Sequence, residues 1–379
     1  MALKLSQDNM LLTDQITSNL DLTDENILII QHWVRDAIDF WLFLKNNSNA
    51  DVLFLPKPYS QKKYDLEYWR EKWLKIENPW ITYEDWLEKD WYIESILEQY
   101  RKKSLIIIEV WWIIADKIIK KWWNLDFVKW IVEVTTFGHN RHLKEWTNKK
   151  IPTYSVARSP IKEEESRHVW YAVYASLHKV LNELDRSVND CSVTMVWYWM
   201  IWQNVCKAFQ TVEKLNVYDR DIEKIIKAQW DWYESSINYK EIIKKSDIII
   251  ASTWVRSINS DFISECKDWV LLVSAWSRQN EIDVKFLEEN TQEKVKNIWE
   301  FIKRYKINWK EVFLFREWKN ANFAFKSCPA ISMDLLHAEV LECVKNILKW
   351  DYIIWDRELN ELGKEKRDEL ILNHKKLWE

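Results

Sequence analysis

Glycine is nearly absent from this chain of 379 residues: there are 2 glycines and 6 prolines. Ordinary usage near 7% would put about 26 glycines in this length. Taken literally, the deficit excludes most tight turns, phosphate-cradling loops and left-handed helix ends. Cysteine is scarce and scattered, five residues (Cys191, Cys206, Cys266, Cys328, Cys343) with no C-x-x-C pair. Neither a disulfide framework nor a zinc site is indicated, so no metal is expected and a reduced, cytoplasmic setting fits. No apolar run reaches the roughly 18 residues of a spanning helix, so no membrane partner is expected. The opening "MALKLSQDNMLL" lacks the charged and apolar regions of a secretory signal. Net charge is −4 with a pI near 6.1, which gives no reason to expect nucleic acid as a partner.

What replaces glycine is tryptophan, at 28 residues; the two types together make 30, an ordinary glycine count. Tryptophan also stands at glycine-like places: the pairs in "EVWWII" and "KKWWNL", the strand end "ASTWVR", and "VSAWSR". Some bacteria read the codon UGA as glycine, and another variant code reads it as tryptophan. The composition therefore predicts that most of these tryptophans are UGA-encoded glycines; the alternative is a truly Trp-rich protein.

Apolar runs of strand length alternate with longer periodic segments, the pattern of βα units around a mainly parallel sheet. Strands are expected at "NILIIQ" (26–31), "ADVLFL" (50–55), "SLIIIEV" (104–110), "WIVEVTT" (130–136), "SVTMV", "KLNVY", "SDIIIAST", "DWVLLVSA" and "EVFLF" (311–315). Helices are expected over 36–44, 171–184 and most of the last fifty residues. The fold class is α/β with two Rossmann-like domains. A substrate-type domain spans 1–175 and a dinucleotide-binding domain 176–328, with a helical segment, 329–379, returning to the first.

The segment "CSVTMVWYWMIWQNVCKAF" (191–209) reads strand, turn, helix. With glycine at Trp197, Trp199 and Trp202, its turn becomes G-Y-G-M-I-G, with Met200 and Ile201 completing the loop that would meet a pyrophosphate. Asp219 ends the next strand, where a carboxylate would accept hydrogen bonds from the adenine ribose; an acid there favours NAD over NADP. Thr253 and Trp254, at the strand end "ASTWVR", are further cofactor-contact candidates.

The peptides "WIVEVTTFGHNRHL", "IPTYSVARSPIK", "VTMVWYWMIWQNV", "DIIIASTWVRSI", "LLVSAWSRQNEIDV" and "FLFREWKNANFAF" resemble those of adenosylhomocysteinase in order and spacing, from about residue 26 to 345. The resemblance implies a substrate domain and an NAD domain, assembly as a homo-tetramer, and a redox cycle on a nucleoside thioether. In that cycle the ribose 3′-hydroxyl is oxidised, homocysteine is eliminated, water adds and the ketone is reduced. It places Thr135, Thr136 and Asn322 at the nicotinamide, Lys162 beside the 3′-hydroxyl as a catalytic group, and His32 at the substrate. Several family positions differ. Val110 stands for a catalytic aspartate, Val134 for a substrate-binding glutamate, Ser166 and Arg167 for an Asp-Asn pair, and Ser277 for a histidine. A divergent NAD enzyme acting on a hydroxyl-bearing small molecule is expected, with a non-catalytic NAD-binding regulatory or assembly protein as the alternative. Each candidate also has a plain reading: a surface lysine paired with acids for Lys162, a structural histidine for His32, and a solvated loop for His139 and His142.

Overall fold

In the computed structural model the chain divides into two compact units, Met1–Glu165 with Pro329–Glu379, and Ser166–Cys328. The structure describes residues 10–23, 25–57, 90–101, 104–121, 126–198, 208–253, 255–275, 281–316, 321–325, 328–352 and 358–378.

The first unit is built on β1 (Glu25–His32), β2 (Asp51–Lys57), β3 (Ser104–Glu109), β4 (Val128–Glu133) and β5 (Thr153–Ser155), all parallel, in the order β2-β1-β3-β4-β5. Its helices are α1 (Leu11–Ser18), α2 (Arg35–Asn47), α3 (Asp90–Glu98), α4 (Ile113–Lys121), α5 (Thr136–Lys144) and the start of α6 (Pro160–Glu183). Runs such as "NILIIQ" are buried on both faces, as parallel strands between helix layers must be. The strand expected over 130–136 stops at Glu133, because Thr135 caps α5 by accepting the Gly138 N–H. The chain leaves β1 toward β2 on one side and later returns to β3 on the other, so the switch point lies between the C-terminal ends of β1 and β3.

The second unit holds β6 (Ser192–Val196), β7 (Lys214–Tyr218), β8 (Glu234–Ser236), β9 (Ile248–Ala251), β10 (Val270–Ser274), β11 (Lys296–Trp299), β12 (Ile302–Ile307) and β13 (Lys310–Phe315). The order β8-β7-β6-β9-β10-β13 is parallel and reproduces the doubly wound 3-2-1-4-5-6 arrangement. The antiparallel strands β12 and β11 extend its far edge. Helix α7 (Ile222–Trp230) follows β7, and α8 (Tyr239–Ile243), α9 (Ser260–Glu265) and α10 (Val284–Asn290) complete this unit. The chain then re-enters the first unit through α11 (Ala330–Leu348) and α12 (Lys364–Trp378). No helix among the described residues is long and apolar enough to cross a membrane.

The backbone carries an unusual set of left-handed residues. Among the described residues eleven non-glycine positions have positive φ, and eight of them are Trp111, Trp112, Trp146, Trp197, Trp232, Trp269, Trp309 and Trp350. For a bulky residue that conformation is a genuine outlier. Trp232 and Trp350 sit one residue beyond the C-caps of α7 and α11. There Tyr233 N–H bonds the Ala228 carbonyl at 3.0 Å and Asp351 N–H the Asn346 carbonyl at 2.9 Å. That six-to-one bond defines a helix ending whose left-handed residue is usually glycine.

Candidate functional site

At the C-terminal edge of the first unit's sheet, β1 delivers His32 and β2 delivers Lys57, while the turn after β3 delivers Trp111. The Lys57 Nζ lies 3.8 Å from the centre of the Trp111 ring, and His32 meets that ring edge-on at 6.5 Å. Desolvation, followed by the charges of Lys57 and Lys162, holds the His32 imidazole well below the usual histidine pKa. His32 is therefore neutral near pH 7, the form that accepts a proton. Lys162, on the first turn of α6, bonds Glu165 at 2.8 Å with its side chain one-fifth exposed. The plain surface ion pair is thus present, but its charge also reaches inward. It helps burial hold His337 down to about 3, and it weakly opposes the burial that lifts Glu339 to about 7.

One element was misjudged from sequence. His139 and His142 lie on α5, not in a solvated loop, and both are buried. Their spacing of three residues turns both rings to one side of the helix, and the apolar residues that would have signalled a buried face are sparse in "TFGHNRHLK". His139 Nδ1 is 2.8 Å from Ser155 Oγ. The His142 Nε2 lies 3.5 Å from Glu133 Oε2 and 3.7 Å from Glu109 Oε1, all three side chains fully buried. Neither glutamate was singled out by sequence, since each closes a strand otherwise read as apolar. Thr135 belongs to the same network. Its hydroxyl donates to Glu133 Oε1 at 2.6 Å and accepts from Trp111 N–H at 3.0 Å and Gly138 N–H at 3.2 Å. All three hydrogen-bonding positions of that hydroxyl are taken. Thr136 makes a single long contact, 3.4 Å, to the Ala157 carbonyl.

In the second unit the switch point lies between β6 and β9; Trp197, Asp219 and Thr253 follow β6, β7 and β9, whereas Thr135 and Thr136, expected at the nicotinamide, stand in the first unit. Trp197 follows β6 with φ of 85°, and its N–H bonds the Tyr218 carbonyl at 2.7 Å. Asp219 follows β7 and is buried. It accepts the Tyr198 N–H at 2.7 Å and the Asp221 N–H at 2.9 Å, with Lys224 Nζ at 3.9 Å. Thr253 follows β9. Its N–H donates to Glu281, whose other oxygen accepts from Ser274 at 2.6 Å, so Glu281 ties the ends of β9 and β10 together. Asn322, in a buried turn, has an Oδ1 with no partner among the described residues. Trp199, Met200, Ile201, Trp202 and Trp254 lie outside the described residues.

No family model and no curated protein sequence matches this chain. Solved structures do. One, assigned as a D-3-phosphoglycerate dehydrogenase oxidoreductase from Ralstonia solanacearum, is 11% identical with a TM-score of 0.51, covering 86% of this chain and 95% of that one. Another, a phosphoglycerate oxidoreductase from Vibrio cholerae O395, is 10% identical with a TM-score of 0.52, covering 85% of this chain and 99% of that one. At such identities the likeness establishes the fold: α/β, with two Rossmann-like units. It also corrects an expectation. Both of these structures are phosphoglycerate oxidoreductases, and membership of the adenosylhomocysteinase family, resting on short peptides, is not upheld. Peptides around strand ends are shaped by the needs of a nucleotide-binding sheet, which many enzyme families share.

Proposed function

We propose that the protein is an NAD-dependent oxidoreductase acting on a small hydroxyl-bearing, anionic molecule. The observation that carries this reading is the 3-2-1-4-5-6 sheet with a left-handed residue ending its first strand and a buried carboxylate ending its second. The residues fit the cofactor in two respects. Asp219 stands where a dinucleotide's ribose is held, and the buried Asn322 Oδ1 wants a donor that a carboxamide N–H would supply. In a third respect the fit depends on the side chain at 197. An indole would crowd a turn with φ of 85° that a diphosphate must approach closely, whereas glycine adopts that conformation freely. The concentration of tryptophan at left-handed positions supports reading it there as recoded glycine.

NAD would supply the hydride acceptor. Within the first unit, a neutral His32 would accept the substrate's hydroxyl proton. Lys57 and Lys162 would hold a carboxylate or phosphate of the substrate and stabilise the developing oxyanion. An anionic hydroxy compound suits two lysines better than a neutral one. The names of the two similar structures, both phosphoglycerate oxidoreductases, agree with that chemistry.

The test is protein isolated from the host that encodes it, examined for bound nicotinamide and then mixed with 3-phosphoglycerate and other hydroxy acids. Reduction of the bound nicotinamide supports the proposal. Nicotinamide that is bound yet inert to every hydroxy compound would turn the reading to a regulatory NAD-binding protein. A chain that neither carries nor binds NAD would sink it.

A further inference from the structure

Between the ends of β3 and β4 and one side of α5, the first unit encloses Glu109, Glu133 and His142 with no solvent exposure at any of the three side chains. Six donors already point at the two carboxylates. Glu133 receives the N–H groups of Trp111 at 3.2 Å, Trp112 at 3.0 Å and Thr135 at 2.7 Å, and the Thr135 hydroxyl at 2.6 Å. Glu109 receives those of Ile114 at 2.8 Å and Ala115 at 3.4 Å, the start of α4. These partners fix the carboxylates without saturating them. Glu133 Oε1 takes three of the donors, but Oε2 takes one, and both Glu109 oxygens keep capacity. The unsaturated oxygens face the imidazole, and one atom from each residue lies within 4.8 Å of the others.

The histidine faces both carboxylates, its Nε2 lying 3.5 Å from Glu133 Oε2 and 3.7 Å from Glu109 Oε1, without hydrogen-bond geometry to either. Neither His142 nitrogen has a hydrogen-bond partner among the described residues, although the ring is fully buried. Gly138, one of the two glycines, adjoins the cluster because a methyl group there would overlap the Glu133 carboxylate.

We propose that Glu109, Glu133 and His142 bind one divalent transition-metal ion of the zinc, manganese or iron(II) class. Two carboxylates with one imidazole and no thiolate make the donor set those ions accept, and the imidazole disfavours calcium and magnesium. The Nε2 to oxygen separations of 3.5 and 3.7 Å are close to the roughly 3.4 Å between neighbouring ligands about 2.1 Å from a tetrahedral centre. The ion would hold the turn after β3, the turn after β4 and α5 in one piece. The anchoring groups at 111 and 112 are backbone N–H groups, while the Trp112 ring packs edge-on against His142 at 6.2 Å; the site does not depend on the NAD reading.

The test is elemental analysis of the full chain purified without chelator, followed by titration of the chelator-treated protein with zinc chloride, manganese chloride and magnesium chloride. About one zinc, manganese or iron per chain is expected, with an X-ray absorption edge showing nitrogen and oxygen neighbours. Removal should lower the unfolding temperature, and zinc or manganese, not magnesium, should restore it. His142→Gln keeps the volume and should lose the ion; Glu109→Gln, which still accepts from α4, should weaken binding at least tenfold. A chain without metal that binds neither zinc nor manganese would overturn the proposal and leave a proton holding the cluster together. So would sulfur in the coordination shell, or undiminished binding by His142→Gln.

Discussion

Replacing Trp232 by glycine should make the protein more stable, the reverse of the usual outcome for deleting an aromatic ring. Trp232 has φ of 68° and is 94% exposed, one residue past the end of α7. Its indole therefore contributes almost no burial, while its Cβ stands in the conformation that disfavours L-residues by about 1–2 kcal/mol. Glycine removes that strain but brings more freedom to the unfolded chain, offsetting about 0.5–1 kcal/mol. The net expectation is a gain of about 0.5–1 kcal/mol. It would be read as a higher urea midpoint at unchanged slope, followed by far-ultraviolet circular dichroism so that the lost fluorophore does not matter. Trp232→Ala is the control. It discards the ring but keeps the Cβ, so it should leave the midpoint nearly unmoved. Trp41 supplies the contrast. It is fully buried in α2, with its Nε1 donating to the Val52 carbonyl at 2.9 Å. Trp41→Gly should cost about 3–5 kcal/mol from the cavity alone. If Trp232→Gly lowers the midpoint, or Trp232→Ala raises it as far, the left-handed strain is not what distinguishes these positions.

Gly138→Ala should destabilise by about 1–3 kcal/mol, because the new methyl overlaps the Glu133 carboxylate; equal unfolding midpoints for the two proteins would refute the overlap. Lys57→Met removes a charge that depresses His32, so the His32 imidazole resonance should titrate at higher pH in the variant, and a shift to lower pH would contradict the assigned cause. Glu339 is raised from 4.5 to about 7 in the folded chain, chiefly by burial. The native state then holds a proton that the unfolded state has released, so stability falls as pH rises between about 4.5 and 7. Glu339→Gln should flatten that part of the profile, and an unchanged slope would show that the carboxyl is not desolvated as the structure has it. Asp219→Ala should weaken NAD binding at least tenfold by calorimetry; undiminished affinity would remove Asp219 from the cofactor site.

Much of the architecture was readable before the coordinates. Strands buried on both faces announce themselves as apolar runs, and "NILIIQ", "SLIIIEV", "SVTMV", "DIIIAST" and "DWVLLVSA" all mark strands of the two sheets. The position of Asp219 at the end of β7 and the strand before Trp197 followed from the apolar pattern. Some of the tryptophans at glycine-like places, Trp111, Trp112 and Trp197, have left-handed backbone, since turns impose that geometry whatever side chain is present. Other features depend on which strands lie side by side, and no local pattern encodes that. Glu109 and Glu133 are isolated acids, 24 residues apart in sequence, that become one site only when β3 pairs with β4. The histidines of "TFGHNRHLK" looked solvated because their neighbours are polar, and their burial depends on where α5 settles. Sequence determined the class of fold and the likely turns through composition and periodicity. Tertiary structure alone decided which charged groups share a cavity, because desolvation and pairing are properties of neighbours distant along the chain.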